Sequence, residues 1–153
     1  MKTIVVLSDT HGNLSSIEKI STIINESDYV FHLGDFKSDI LAFGREFGDK
    51  IHAVAGNCDG GGTDEIIEID GVKILLTHGD KYGVKHGLLK LALRAKELGV
   101  NAVFYGHTHQ ADITTFDGIQ FINPGNTKSF IDKTYCYAVV YDGKLVAKIV
   151  PIR

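Results

Sequence analysis

The sequence predicts an α/β fold of four layers, α/β/β/α, in which two mixed β-sheets face each other and helices cover the outside. Three observations point there. The first half alternates short apolar runs with stretches of helical periodicity, the pattern of strands joined by crossover helices. The second half carries three Asp-Gly pairs, at 70–71, 117–118 and 142–143, set between β-branched or aromatic runs and suited to type I′ hairpin turns. Helical stretches are few, so two mixed sheets are expected to cover one another.

Each element follows from its residues. Ile4–Leu7 is an apolar run that ends in Asp9-Thr10-His11. Gly12-Asn13 turns the chain, and Asn13 can cap a helix by accepting a backbone N–H. Leu14, Ile17, Ile20 and Ile24 then recur at helical spacing to about Ile24. A strand from Asp28 to Leu33 runs into Gly34-Asp35, and a short helix from Ile40 to Phe47 is closed by Gly48-Asp49. Ile51–Ala55 runs into Gly56-Asn57. The glycine-rich stretch 59–64 reads as a flexible connection, because it lacks the Gly-Lys-Ser/Thr ending of a phosphate-cradling loop. Glu65–Ile69 and Val72–Leu76 form a hairpin whose second strand ends in Thr77-His78. A helix from His86 to Leu98 places Leu88, Leu91, Ala95 and Leu98 on one face, with Lys90, Arg94, Lys96 and Glu97 solvated and Gly99 as its stop. Ala102–Tyr105 runs into Gly106-His107-Thr108-His109.

Length and composition fit one globular domain spanning 1–153, with no repeat, linker or low-complexity segment. The chain is 44% hydrophobic and carries a formal charge of -3, which disfavours extended nucleic acid as a partner. Two cysteines without metal or redox spacing point to a reducing, cytoplasmic setting. The apolar start stops at Ser8-Asp9, too short for a secretion signal, and no stretch approaches the ~20 apolar residues of a membrane span.

The strand ends carry the chemistry. Sites in open α/β sheets form at the carboxyl ends of strands. Five runs end there in Asp9, His11, Asp35, Asn57, His78, His107 and His109, a set of oxygen and imidazole donors suited to divalent cations. Capping and turn formation explain Asp35 or Asn57 singly, but not four histidines at strand ends. Two ions about 3.5–4 Å apart need a shared anion between them, and Asp35, beside Gly34, is the natural bridge. A hydroxide held between such ions can attack a phosphorus in line.

The set Asp9-Thr10-His11, Gly34-Asp35, Gly56-Asn57, Thr77-His78-Gly79 and Gly106-His107-Thr108-His109 resembles the calcineurin-like metallophosphoesterase superfamily. Short length, Gly56-Asn57-Cys58-Asp59 and Asn123-Pro124-Gly125 are similar to its small prokaryotic phosphodiesterase branch. The resemblance covers Met1 to about Val150 and implies the same four-layer sandwich. It implies a first metal on Asp9, His11, Asp35 and His109, and a second on Asp35, Asn57, His78 and His107. Asp35, Asn57 and His107 would be catalytic, with Cys58 and Asp59 lining the substrate. Mn²⁺ is the expected metal, with Fe, Zn, Ni or Co as alternatives. The substrate would be a small phosphodiester and the protein a hydrolase, with homo-oligomers left open. A binding scaffold without useful catalysis, like the retromer subunit of this fold, is the alternative.

Three positions depart from the wider pattern. Cys58 stands where larger relatives carry His, Ala55 where a basic residue often precedes Gly-Asn, and Asn126 where Ser commonly follows Asn-Pro-Gly. His32 is expected to be hydrogen-bonded in the core or behind the ligands, His52 and His86 structural or at the surface, and Asp80 and Lys81 solvated.

Overall fold

Strand β1 (Lys2–Leu7) serves two cores at once. Successive side chains of a strand point to opposite faces. Ile4 and Val6 therefore enter one apolar cluster, while Val5 and Leu7 enter another. This is the computed structural model of the chain, and it describes residues 1–60, 62–128 and 132–153. Gly61, part of the expected flexible connection, lies outside the described residues.

Among the described residues the chain forms two five-stranded sheets. In the first, β1 lies parallel to β2 (Tyr29–His32), which lies parallel to β3 (Ile51–Ala53). On its other side β1 pairs antiparallel with β9 (Thr134–Tyr141), which forms a hairpin with β10 (Lys144–Pro151). The second sheet has the order β4 (Glu65–Ile69), β5 (Val72–Leu76), β6 (Ala102–Phe104), β8 (Ile119–Asn123), β7 (Asp112–Phe116). Its three inner strands are parallel, and its hairpins are antiparallel. All three Asp-Gly turns have positive φ at both residues, 45° and 84° at Asp70-Gly71 for example, as a type I′ turn requires.

The burial pattern sets the layers. Ile4, Val6, Phe31 and Leu33 of the first sheet share a core with Ile74, Leu76, Phe104 and Ile122 of the second. Phe31 and Phe104 meet edge to face with centroids 5.9 Å apart, a contact worth ~0.5–1.5 kcal/mol beyond its buried area. On the outer face of the first sheet, Ile17, Ile24, Ile40 and Phe47 pack on Val5, Leu7 and Val30. They come from α1 (Leu14–Lys19), α2 (Ser21–Glu26), α3 (Ser38–Leu41) and α4 (Gly44–Phe47). On the outer face of the second, Leu91 and Ala95 of α5 (Leu89–Leu98) pack on Leu75, Val103 and Phe121. The result is the α/β/β/α sandwich. Among the described residues no helix is long and apolar enough to cross a membrane.

Three helix boundaries differ from the periodicity. The stretch expected to run to Ile24 breaks at Ile20, whose φ of -109° and ψ of 12° close one helix and open the next. The stretch 40–47 becomes α3 and α4, separated at Phe43 (φ -97°, ψ 17°). The helix expected from His86 starts at Leu89, because Gly87 sits at φ 122°, outside any helix. In all three the apolar face is kept and only the backbone path changes.

Candidate metal centre

The residues that end the strands hold unusual backbones. Asp9 (φ 55°), His11 (46°), Asp35 (58°), His107 (69°) and His109 (63°) all lie in the left-handed region. Such conformations are costly for side chains other than glycine, and they concentrate at functional sites. Tight loop contacts hold them there. A Cβ on Gly34 would lie 2.5 Å from the Gly56 nitrogen and 2.9 Å from His78 Nδ1. A Cβ on Gly56 would collide with the Asp35 carboxylate, and one on Gly106 with Ser8 Oγ. Three glycines thus let the loops after β1, β2, β3, β5 and β6 touch.

All seven expected ligands converge. Donor atoms of Asp9, His11, Asp35 and His109 lie within 4.8 Å of one another, as do those of Asp35, His78 and His107. Asp35 belongs to both groups. Its Oδ2 stands 3.5 Å from His11 Nε2 and 3.4 Å from His78 Nε2. Asp9 Oδ1 is 3.2 Å from His109 Nε2. Asn57 joins through Oδ1, 3.0 Å from His78 Nε2.

The protons in this cluster are assigned by its surroundings. His78 Nδ1 is 2.7 Å from the Leu33 carbonyl, which can only accept, so Nδ1 carries the proton. His78 Nε2 then faces Asn57 Oδ1 at 3.0 Å, His107 Nδ1 at 3.1 Å and Asp35 Oδ2 at 3.4 Å. Among the described residues, Asp9 Oδ1 and His11 Nε2 are buried with no hydrogen-bond partner. Buried polar atoms are normally satisfied, and lone pairs aimed at one another repel. A cation on each side of Asp35 would satisfy them all, so the donor set fits divalent metal ions.

Electrostatics favour the same state. Burial first, then the charges of neighbouring cations, lowers the pKa of His107 and His109, keeping both imidazoles neutral as metal ligands must be. Burial also pushes the Asp35 carboxyl upward, but the Cys58 N–H and the His78 and His11 charges outweigh it, so its pKa falls. Asp9 moves the other way, because burial dominates there. A bound cation would relieve that penalty.

A shell of hydrogen bonds behind the ligands fixes their aim. Asp9 Oδ2 accepts from Ser8 Oγ at 2.5 Å and the His107 N–H at 3.1 Å, leaving Oδ1 for the centre. Asp35 Oδ1 accepts from the Cys58 N–H at 2.9 Å, leaving Oδ2. His32 is fully buried, as the core or supporting role requires. Its Nδ1 accepts from the Gly34 N–H, so Nε2–H donates to Thr10 Oγ1, which donates to Asp39 Oδ2. Asp39 Oδ2 also accepts from the Gly12 N–H at 2.7 Å. This chain ties the loop of Asp9 and His11 to that of Asp35. Asn123 Nδ2 donates to the Gly106 carbonyl and Thr108 Oγ1, bracing the His107–His109 turn.

Both Asp59 oxygens are engaged: one accepts from the Phe36 and Lys37 N–H groups, the other from the Gly56 N–H. It clamps the Asp35 and Asn57 loops together. Cys58 is exposed at the rim, and its thiol is pushed above its usual pKa by desolvation and then by the Asp35 carboxylate, so it keeps its proton. His52 pairs with Glu65 at 2.6 Å, and His86 is exposed in a 3₁₀ turn. Asp80 is half-buried, and Lys81 pairs with Asp64 at 3.1 Å. Sequence reasoning missed Ser8, Thr10, Asp39 and Asn123 as supports. Thr10 and Asn123 lie inside motifs already noticed, whereas Asp39 is marked by nothing local.

Comparison with known proteins agrees with this geometry. Residues 1–142 match the family described as the calcineurin-like phosphoesterase superfamily domain. The probable metallophosphoesterase YsnB of Bacillus subtilis is 33% identical over 142 residues, covering 90% of this chain and 82% of that protein. The phosphodiesterase MJ0936 of Methanocaldococcus jannaschii is 32% identical over 148 residues, covering 82% and 84%. A predicted phosphoesterase of Streptococcus pneumoniae superposes with a TM-score of 0.82 at 27% identity, over 98% of this chain and 89% of that one. Vps29 of Entamoeba histolytica, solved with zinc, shares the fold at 20% identity and a TM-score of 0.75, over 99% of each chain. With the motif loops gathered at one end of two facing sheets and the match running through nearly all of them, the chain belongs to the calcineurin-like phosphoesterase superfamily.

Proposed function

We propose that the chain, a single domain over 1–153, is a cytoplasmic phosphodiesterase that uses two divalent ions, manganese as the productive metal, to hydrolyse a P–O bond of a small phosphodiester. One observation carries this reading: the donor atoms of seven side chains converge, and among the described residues Asp9 Oδ1 and His11 Nε2 are buried there without a hydrogen-bond partner. Asp9 Oδ1, His11 Nε2, Asp35 Oδ2 and His109 Nε2 would hold one ion. Asp35 Oδ2, Asn57 Oδ1, His78 Nε2 and a His107 ring nitrogen would hold the other. When bound, such ions neutralise phosphoryl oxygens and lower the pKa of an attacking water.

The chain's own residues set the rest. Asp35 would be the shared ligand, because the Cys58 N–H holds Oδ1 and leaves Oδ2 for the centre. His78 is held in the required tautomer by the Leu33 carbonyl. Asn57 contributes a neutral oxygen, and His107 fixes Asp9 through its N–H. Cys58, protonated at the rim, lines the substrate and is not the nucleophile. A neutral thiol in place of an imidazolium suits diesters whose leaving group needs little protonation. The relative named a phosphodiesterase supports this choice of ester.

The alternative, a protein-binding scaffold on the same fold, is weighed down by a complete set of seven converging ligands. Nitrophenol release from bis(4-nitrophenyl) phosphate separates the two. Hydrolysis is expected with Mn²⁺ and is abolished by a chelator. No turnover with Mn, Fe, Zn, Ni or Co would remove the enzyme reading and leave the scaffold.

A further inference from the structure

A cavity of about 500 Å³ opens beside the candidate metal centre. One wall is the segment Val84, Lys85 and Leu88; the other is Thr108, Gln110 and Asp112. Thr108 lies between the two histidines of the last motif, so the cavity adjoins the place where a phosphoryl group would be cleaved. Its size lies within the range of small-molecule pockets.

The lining is mixed in a telling way. Val84 is buried and Leu88 half-buried, giving an apolar wall. Tyr105 also lines the cavity. Asp112 already accepts from Thr114 Oγ1 at 2.8 Å. Lys85 is exposed at this wall and, like Lys90 and unlike Lys81 and Lys96, has no ion-pair partner among the described residues. An unpaired cation at the wall of a cavity beside a phosphoester site, in a chain of net charge -3, is placed to meet an anion.

We propose that this cavity receives one ester arm of the substrate and that Lys85 binds a second anionic group on that arm. The substrate class is then a phosphodiester that also bears a phosphate, such as a nucleotide unit, rather than a diester of two neutral alcohols. The apolar wall takes the flat or aliphatic part of the arm, and Gln110 and Asp112 take its hydroxyls. This rests on the phosphodiesterase reading.

The test compares two chromogenic diesters that differ in one group: thymidine 5′-(4-nitrophenyl phosphate), and the same compound with a 3′-phosphate. The readout is the ratio of their kcat/KM values with Mn²⁺, in which active-enzyme concentration cancels. The wild type is expected to prefer the 3′-phosphorylated compound by about three- to tenfold, mostly through KM, as one partly screened ion pair allows. K85Q brings the ratio near one, K85E inverts it and K85R retains it. The preference shrinks between about 0.05 and 0.5 M salt. Hydrolysis of both compounds with equal efficiency by the wild type, or an unchanged ratio in K85Q, overturns the role of Lys85 while leaving the enzyme reading intact. Hydrolysis of neither overturns the reading on which it rests.

Discussion

Asp35→Asn isolates the shared ligand. The substitution keeps Oδ1, so the hydrogen bond from the Cys58 N–H at 2.9 Å survives and fixes the orientation of the amide. Nδ2 then replaces Oδ2, the atom 3.5 Å from His11 Nε2 and 3.4 Å from His78 Nε2. An amide nitrogen cannot ligate a cation, but its N–H can donate to a neighbouring imidazole nitrogen. Metal-free Asp35→Asn should therefore be at least as stable as the metal-free wild type. Metal linkage gives the magnitude. An ion at a hundredfold excess over its dissociation constant stabilises the native state by about 2.7 kcal/mol. A chain of this size gains ~2–4 °C in melting midpoint per kcal/mol. Each occupied site should thus raise the wild-type midpoint by about 5–10 °C. Asp35→Asn should lose both increments, and His11→Ala only one. Thermal unfolding with and without Mn²⁺, paired with calorimetric ion stoichiometry, reads this directly. Diester hydrolysis should fall ~100-fold or more in Asp35→Asn. One ion retained at wild-type affinity, with its full thermal increment, would refute the bridge.

Other consequences follow from the neighbouring residues. Burial lowers the pKa of His32 to about 4, against an unfolded value near 6.5, so the folded state disfavours the charged ring. The stability this contributes is present above the unfolded value and is lost as pH falls from about 6.5 toward 4, on the order of 3 kcal/mol in full. Urea unfolding of the metal-free protein at pH 7 and pH 5 should show the loss, and His32→Gln should flatten it. Gly56→Ala keeps an ordinary backbone (φ -93°) but drives a methyl into the Asp35 carboxylate. It should cost ~1–3 kcal/mol in denaturant unfolding and weaken Mn²⁺ binding; wild-type affinity would mean that the loops part easily. Cys58→His should raise monoester hydrolysis relative to diester hydrolysis, because an imidazolium can protonate a poorer leaving group. An unchanged ratio would rule out a part for this position in choosing the ester.

Local pattern accounts for much of what the chain does. The alternation in Ile4-Val5-Val6-Leu7 dictates a strand buried on both faces, and each Asp-Gly pair adopts the positive φ values its hairpin needs. Seven polar residues at five strand ends already marked the candidate centre, because parallel strands deliver their carboxyl ends to one edge. Helix ends were harder to read, since the backbone breaks at Ile20 and Phe43 inside a continuing apolar period, and Gly87 turns at φ 122° before the last helix. The backbone strain at Asp9, Asp35 and His107 was also hidden, because contacts between loops impose it.

What the sequence alone determined is the donor chemistry and the edge on which it gathers: both are carried by residue type and by periods of two and 3.6. What only the tertiary structure decided is the aim of each donor. Asp59 serves as a clamp because the Phe36 and Lys37 N–H groups of the loop after β2 and the Gly56 N–H of its own loop close on its carboxylate. His78 was given its tautomer by a carbonyl 45 residues away, and Asp39 was joined to Thr10 across 29. Such bonds are short-range and directional, so they exist only once strand order has brought their partners within about 3 Å.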